Sequence, residues 1–490
     1  MGLGALADAV VPERVVGLPI GDVLGLTSDS RAVAPGWVFF AVPGVHVDGH
    51  DYVSQAVGAG AIAVVVEREL PGLAVPQLIV DATRRALADA AAAWYGEPSA
   101  QLTVIGVTGT DGKSTVAALV ADVLRAAGRR PGEIGTVFTT IGDERRPNED
   151  RTTTPEALDL QATLAAMVAA GNDCVVMEAT SHGLALDRTR NVRFAVGVVT
   201  TVTSEHLEFH GTLEAYRAAK ARLVEAAPIS VLNADDPTVD YFRARAAGRV
   251  ITYGIDAAAD LRASHLVEDA AGTRFRLAAP SWQGEATVPL PGRFNVANAL
   301  AALAVAEALG IDLATATAGL SASDGVPGRM ERVDGPQPFT VIVDYAHTED
   351  ALRKVLDVLR PLTTGRLIAV LGSAGERDAT KRAPMGRVAA ELADVVVVTD
   401  EDPRLEDPRV INEQIADGAR AAGAIDGERL WVIDDRRVAI AHAVGLARAG
   451  DVVLRAGKGH EASMFQGSET RPWDDRSAAR DALAAAGWET

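Results

Sequence analysis

The sequence predicts an α/β fold of three domains built on largely parallel sheets. Short β-branched runs alternate with Ala/Leu-rich stretches along most of the chain, the pattern left when strands are joined by crossover helices. A glycine-rich loop stands between one of these runs and the helix that follows it, the place where open α/β sheets bind ligands. The length, 490 residues, suits about three domains at roughly 100–200 residues each.

The predicted strands, in order, are "AIAVVVE" (61–67), "LTVIGVTG" (102–109), "DCVVME" (173–178), "AVGVVTTV" (195–202), "FTVIVDYA" (339–346), "LIAVLGS" (367–373), "DVVVVTD" (394–400) and "DVVLRAG" (451–457). "WYGEPSAQL" (94–102) closes an Ala-rich helix, and "SASDGVPGRMERVDGPQP" (321–338) is a Gly/Pro-rich linker. The domains are therefore set at 1–99, 100–328 and 329–490. A net charge of −19 argues against a nucleic-acid partner, whose phosphates need clustered basic residues. The single cysteine, Cys174, excludes an intrachain disulfide and reads as a small buried hydrophobe. There is no signal-peptide pattern and no apolar run of the roughly 18–20 residues that span a bilayer, so a cytoplasmic protein without a membrane span is expected.

Lysine is nearly absent. The chain has five, Lys113, Lys220, Lys354, Lys381 and Lys458, against 42 arginines, so lysine marks positions where arginine would fail chemically.

The first motif is "VIGVTGTDGKSTVAALVADVL", a strand, a loop and a helix. Gly106, Gly109, Thr110, Asp111, Gly112, Lys113, Ser114 and Thr115 form a phosphate loop for ATP: glycines let backbone N–H groups face the phosphates, lysine reaches the terminal ones, and the hydroxyl can hold Mg²⁺. Glu178 ends the next predicted strand, and Glu205, His206, Glu208 and His210 follow in "TSEHLEFHG". A carboxylate and an imidazole near a triphosphate suit a hard cation, although each histidine alone also reads as structural.

Twelve strings in fixed order resemble the Mur ligases, most closely those that add the third amino acid of the peptidoglycan stem peptide. They are "SDSRAVAPGWVFFAVPGVHVDGHDY", "GVTGTDGKST", "TTTPEALDLQ", "MEATSHGLALDR", "EHLEFHGTLEAYRAAK", "LNADDP", "PGRFNVANALAA", "VPGRMERV", "VDYAHTEDAL", "GSAGERDATKRAPMG", "EDPRLEDP" and "AGKGHE". The resemblance implies an N-terminal module for the UDP end of a sugar nucleotide, a central P-loop ATPase and a C-terminal Rossmann-like domain that brings the incoming amino acid. It implies that ATP phosphorylates the terminal carboxylate of UDP-N-acetylmuramoyl-L-alanyl-D-glutamate and that the amine of a diamino acid displaces the phosphate. Such a transfer gathers negative charge that positioned cations must answer.

By the same resemblance Lys113, Glu178, His206 and Lys220 are catalytic, with Ser114, Glu178, His206 and Lys220 at the metal. "YRAAKARL" alone reads as an exposed helical lysine. The resemblance instead implies that Lys220 takes up CO₂ as N6-carboxylysine, a stable carbamate that arginine could not form. Ser28, Ser30, Arg31, Val45, His46 and Val47 fall on the uridine nucleotide. Thr152, Thr153, Thr154, Thr180, Ser181 and Arg188 fall on the muramoyl peptide, Thr152 replacing the usual Asn, while Leu186 stands where some members have Gln. Asn295, Arg329, Asp344, Tyr345 and His347 fall on ATP. Asn298 reads equally as a local cap, and Lys381 and Arg382 as phosphate ligands or a helix start.

The amino-acid pocket matches Arg377, Glu401, Asp402, Pro403, Arg404, Gly457 and Glu461. Members that use meso-diaminopimelate carry DNPR, whereas this chain reads Glu401, Asp402, Pro403, Arg404. A carboxylate at Asp402 attracts the ammonium tip of L-lysine or L-ornithine and repels a distal carboxylate. Arg404 pulls the other way unless it pairs with Asp402 or Glu406, which keeps meso-diaminopimelate open. The expected protein is a monomer. Two other readings stand beside this one: a folylpolyglutamate-synthase-like ligase, which the "DSR" and "DGHDY" strings oppose, and a nucleotide-binding scaffold without catalysis, which Lys113, Glu178, His206 and Lys220 oppose.

Overall fold

The computed structural model describes residues 1–44, 47–148, 152–269 and 272–488. It divides into two compact units: Met1–Ser264 with Arg276–Gly284 and Ala297–Leu320, and Ser321–Thr490 with His265–Phe275 and Glu285–Val296. The second unit thus combines a continuous stretch from Ser321 with two short segments from earlier in the chain. Among the described residues no helix is long and apolar enough to cross a membrane.

The first unit opens on a five-stranded sheet. Gly25–Thr27, Trp37–Phe40, Ala63–Val66 and Gln77–Ile79 pair in parallel, and Arg14–Val16 closes one edge antiparallel to Gln77–Ile79. Helices Leu3–Val10 and Thr83–Trp94 pack on one face. Every residue of Ala63–Val66 is buried, as expected of a strand covered on both faces, so its sequence is continuously apolar rather than alternating.

An eleven-stranded sheet follows. Its parallel middle runs Arg249–Gly254, Ile229–Asn233, Phe194–Val199, Thr103–Thr108, Cys174–Glu178 and Pro131–Ile134. The glycine loop thus leaves a central strand, and Glu178, in register with Val107, ends the strand beside it. Helix Lys113–Ala126 takes the chain away from the loop. The sequence reading did not foresee the outer strands of this sheet: the antiparallel hairpin Phe138–Ile141 with Glu144–Pro147 at one side, and at the other Leu261–Asp269, which pairs parallel with Arg249–Gly254, followed by Gly272–Ala278 and Gln283–Val288. Their burial alternates residue by residue, so they carry a period-two pattern instead of an apolar run.

The second unit is built on a six-stranded sheet. Thr340–Asp344, Val452–Ala456, Leu367–Leu371, Val395–Val398 and Leu430–Val432 are parallel, and Glu331–Arg332 pairs antiparallel at the edge. Helices Glu349–Leu362, Arg382–Leu392 and Pro408–Ala421 cover one face, and Arg436–Leu446 and Asp475–Ala485 the other. Arg436 and Asp475 form an ion pair at 2.7 Å with neither side chain exposed. Asp475 also caps that interior from the start of its helix, taking the indole N–H of Trp473 at 2.8 Å.

Candidate active site

Gly109 and Gly112 take φ of +154° and +86°, and the left-handed value at Gly112 is one that side chains resist. A Cβ on Gly109 would lie 1.8 Å from Thr200 Oγ1, and one on Gly112 would lie 2.5 Å from Asn298 Oδ1. Thr200, at the end of the neighbouring strand, donates to the carbonyls of Thr108 at 3.2 Å and Asp111 at 2.6 Å. The loop is therefore held from outside as well as by its own glycines. Lys113 Nζ folds back to donate to the carbonyls of Gly109 at 3.1 Å and Thr110 at 2.9 Å. Thr110 shares a hydrogen bond with the hydroxyl of Tyr216 at 2.9 Å, and Thr115 is buried in the helix.

Lys220 is not the exposed helical lysine of the local pattern. It is 1% exposed, its Nζ donates to the Gly109 carbonyl at 2.7 Å, and it lies 4.5 Å from the centre of the Tyr216 ring. Helix Leu213–Ala226 turns this position inward, so both lysines meet on one loop carbonyl. Burial, and then repulsion from Lys113, push the Lys220 amine well below its ordinary pKa. Its neutral form is thereby favoured.

Ser114 Oγ donates to Glu178 Oε1 at 2.9 Å. The backbone N–H of Thr136 donates to the same oxygen at 2.8 Å, and Thr136 Oγ1 to Oε2 at 3.1 Å. Thr136 Oγ1 also bonds Thr153 Oγ1 at 2.9 Å. Thr154 donates to the Glu178 carbonyl at 2.8 Å and bonds Thr180 Oγ1 at 3.0 Å. Arg188 donates to the Thr154 carbonyl at 2.9 Å and pairs with Glu156 at 2.6 Å. Thr180 caps helix Ser181–Ala185, and the Thr152 carbonyl accepts from Asn148 at 3.1 Å. The sequence reading missed Thr136 and Thr200, since neither lies at a motif spacing.

His206 makes its contacts elsewhere: Nε2 lies 3.6 Å from Glu205, Nδ1 3.4 Å from Glu208, and the ring meets His182 edge-on at 4.7 Å. Among the described residues no three His, Cys, Asp or Glu side chains gather around a metal-sized position. The oxygens of Ser114 and Glu178 still fit a hard cation of the Mg²⁺ type, which binds through one or two protein oxygens plus phosphate and water.

At the N-terminal sheet Ser28 is exposed, whereas Ser30 is buried and donates to Gln55 at 3.3 Å. Arg31 pairs with Asp29 at 2.8 Å. Val47 is exposed, and Val45 and His46 lie outside the described residues.

In the second unit Asp344 is buried and accepts the amides of Met330 at 2.7 Å and Ala346 at 2.8 Å. Arg329 lies over the Tyr345 ring at 4.6 Å, and Asn295 donates to the Pro291 carbonyl at 2.7 Å. His347 is depressed in pKa, chiefly by burial, and its carbonyl takes Lys381 Nζ at 2.8 Å. Arg382 is buried against Glu406 at 2.9 Å and Gln414 at 2.9 Å, so the structure gives it an internal ion pair.

The pocket residues form a charged knot. Lys458 Nζ, with a fully buried side chain, donates to Asp402 Oδ1 at 2.8 Å and Glu461 Oε2 at 2.5 Å. The Phe465 amide donates to the same Asp402 oxygen at 3.0 Å. Glu401 is buried, its Oε2 has no hydrogen-bond partner among the described residues, and burial raises its pKa. A Cβ on Gly457, at φ +109°, would lie 3.0 Å from that oxygen. Pro403 is buried, Arg377 is exposed, and Arg404 Nε has no hydrogen-bond partner among the described residues. Asp402 and Glu406, the carboxylates that could have paired with Arg404, are engaged by Lys458 and Arg382.

Family models match three stretches: "Mur ligase family, catalytic domain" over residues 22–95, "Mur ligase middle domain" over 107–306 and "Mur ligase, glutamate ligase domain" over 328–459. A UDP-N-acetylmuramyl-tripeptide synthetase of Roseiflexus sp. is 47% identical over 95% of this chain and 96% of its own. The chain belongs to the Mur ligase family. As a Mur ligase it is an ATP-dependent ligase, and Mur ligases use ATP and Mg²⁺. The UDP-N-acetylmuramoyl-L-alanyl-D-glutamate 2,6-diaminopimelate ligase of Bacillus licheniformis is 42% identical over 94% of this chain and 95% of its own. A solved structure with that ligase name superposes with a TM-score of 0.73 at 32% identity, covering 98% of this Mur ligase and 99% of that chain. A Mycobacterium tuberculosis folylpolyglutamate synthase covers 76% of this Mur ligase and 92% of its own chain at 22% identity and a TM-score of 0.62, a likeness of fold.

Proposed function

We propose that this Mur ligase joins a diamino acid to the terminal carboxylate of UDP-N-acetylmuramoyl-L-alanyl-D-glutamate, with residues 1–99 receiving the UDP end, 100–328 ATP and 329–490 the amino acid. The carrying observation is the hydrogen-bonded chain Ser114–Glu178–Thr136–Thr153, which runs from the phosphate loop to the threonines that resemblance assigns to the muramoyl peptide. The names of the relatives support the same substrate.

In this reading the substrate carboxylate attacks the γ-phosphorus of ATP, the bond to ADP breaks, and an acyl phosphate forms. The amine then attacks its carbonyl carbon and inorganic phosphate leaves. Lys113 and the loop amides hold the phosphates and answer their charge. Ser114 and Glu178 would hold Mg²⁺, which neutralises phosphate charge when bound. Lys220 suits capture of CO₂ because its amine is buried and driven towards the neutral, nucleophilic form; the carbamate would add an anionic oxygen ligand beside the loop. Such a nucleotide substrate is met in the cytoplasm.

For the third residue the charges favour L-lysine or L-ornithine. Asp402 and Glu461 share the one ammonium of Lys458, so this group carries one carboxylate in excess and a cationic side chain is attracted, while the buried Glu401 beside it is answered by Lys381. Arg404 suits a carboxylate, which every candidate carries at its α-carbon and which meso-diaminopimelate carries at its distal end as well. The test is to incubate enzyme, ATP, Mg²⁺ and the UDP-dipeptide with each diamino acid separately and weigh the products. Ligation of none, or phosphate release only with a folate and glutamate, overturns the proposal.

A further inference from the structure

Lys458 has no role in the reaction just described, yet it is the most enclosed charge in the pocket. Glycines flank it: Gly457 at φ +109° and Gly459 at φ +50°. A Cβ on Gly459 would lie 2.7 Å from Tyr345 Cβ, and one on Gly457 would lie 3.0 Å from Glu401 Oε2. The two turns drive the lysine inward between Asp402 and Glu461. A compact ammonium can serve two carboxylates on different segments, whereas a planar guanidinium favours one carboxylate in a bidentate grip.

The Asp402 bonding is one-sided. Lys458 Nζ and the Phe465 amide both reach Oδ1, leaving Oδ2 to accept from another donor. The same segment is stitched to the hairpin Ser463–Gln466 with Glu469–Pro472: Arg404 N–H donates to the Phe465 carbonyl at 3.0 Å and Gly467 N–H to the Arg404 carbonyl at 2.6 Å. Orientation of Asp402 is thus fixed by a cation on one side and backbone on the other.

We propose that Lys458 is a positioning and specificity-determining residue: it holds Asp402 and Glu461 in place and sets, by its single positive charge, how strongly the pocket prefers a cationic side chain over a distal carboxylate. The inference rests on the reading of this pocket as the amino-acid site. Removing the ammonium adds one net negative charge to the knot, and removing the Asp402 charge subtracts one. The two substitutions therefore move selectivity in opposite directions, and together they cancel.

The experiment is a double-substitution cycle on the full chain: wild type, Lys458→Met, Asp402→Asn and the double variant. Each is assayed for kcat/KM with L-lysine, L-ornithine and meso-diaminopimelate at saturating ATP and UDP-dipeptide, with KM for ATP as a control. The expected ratio of L-lysine to meso-diaminopimelate rises roughly tenfold or more in Lys458→Met and falls by a similar factor in Asp402→Asn. In the double variant it returns to within about threefold of wild type, with KM for ATP unchanged throughout. A purely structural lysine would lower all substrates together and leave the ratio alone. A Lys458→Met ratio within about twofold of wild type, or a double variant that keeps the ratio of either single one, overturns the inference. Lys458→Gln, which retains a donor but not the charge, carries the same expectation if the methionine variant does not fold. Wild type that ligates none of the three amino acids would instead overturn the reading of the pocket, and the inference with it.

Discussion

Replacing Thr136 by valine keeps the shape of the side chain and removes one oxygen. That hydroxyl donates to Glu178 Oε2 at 3.1 Å and bonds Thr153 at 2.9 Å. A hydrogen bond to a charged group contributes about 1.5–3 kcal/mol and a neutral one about 1 kcal/mol. The Thr136 amide and Ser114 still donate to Glu178 Oε1, at 2.8 Å and 2.9 Å, so the carboxylate stays anchored by one oxygen and only part of that sum is lost. A net loss of about 1.5–3 kcal/mol corresponds to roughly 10- to 150-fold in kcat/KM. Phosphate release, with the UDP-dipeptide varied at several Mg²⁺ concentrations, measures it. Thr136→Ser keeps the hydroxyl and should remain within about threefold of wild type. A valine variant within about twofold of wild type at every Mg²⁺ concentration would refute the coupling of Glu178 to Thr153 through this oxygen.

Gly112→Ala places a Cβ 2.5 Å from Asn298 Oδ1 at φ +86°, and the left-handed backbone alone costs about 1–2 kcal/mol. Calorimetry should show weakened ATP binding, and an unchanged Kd would contradict the described loop. Lys220→Ala is expected to stop phosphate release and to recover partly with short carboxylic acids; full activity in Lys220→Arg would contradict a carbamate. Asp475→Asn strands Arg436 in the interior, which should cost about 3–5 kcal/mol. The Asp475 carboxyl is held down to about 2 from an ordinary 3.8; burial alone would raise it, but the attraction of Arg436 outweighs that. Its stabilising effect is therefore complete above the unfolded value and is lost as pH falls through 3.8 towards 2. Thermal unfolding between pH 5 and pH 2 should be less acid-sensitive in Asp475→Asn, and equal sensitivity would count against the pair.

The sequence discloses the parts of the fold that depend on local composition. Strands such as Val395–Val398 and Leu367–Leu371 are buried on both faces, so each is a continuous apolar run bounded by polar turns. The phosphate loop is equally legible, because its glycines are required by backbone geometry at that spot. The outer strands Leu261–Asp269 and Gly272–Ala278 are harder: one face is exposed, the apolar residues fall at alternate positions, and the arginines and glutamates between them read as loop. At the site, the difficulty is distance along the chain. Thr136 gains its meaning from Glu178 and Thr153, and Asp402 from Lys458. Lys220 has the neighbours of a surface helix in sequence and the neighbours of a phosphate loop in space.

Scarcity of lysine has a practical side. Lys220 and Lys458 are shielded from solvent and Lys113 and Lys381 are half-buried. Lys354, on helix Glu349–Leu362, has a side chain 42% exposed and forms an ion pair with a surface carboxylate, Asp350, at 2.6 Å. Among the lysine side chains Lys354 is therefore the one most open to an amine-directed fluorophore or crosslinker, with the chain's α-amine as the competing site. Raising the pH to favour the ε-amine, or blocking the α-amine first, turns that one lysine into a conjugation handle for fluorescence or surface immobilisation without any cysteine having to be introduced.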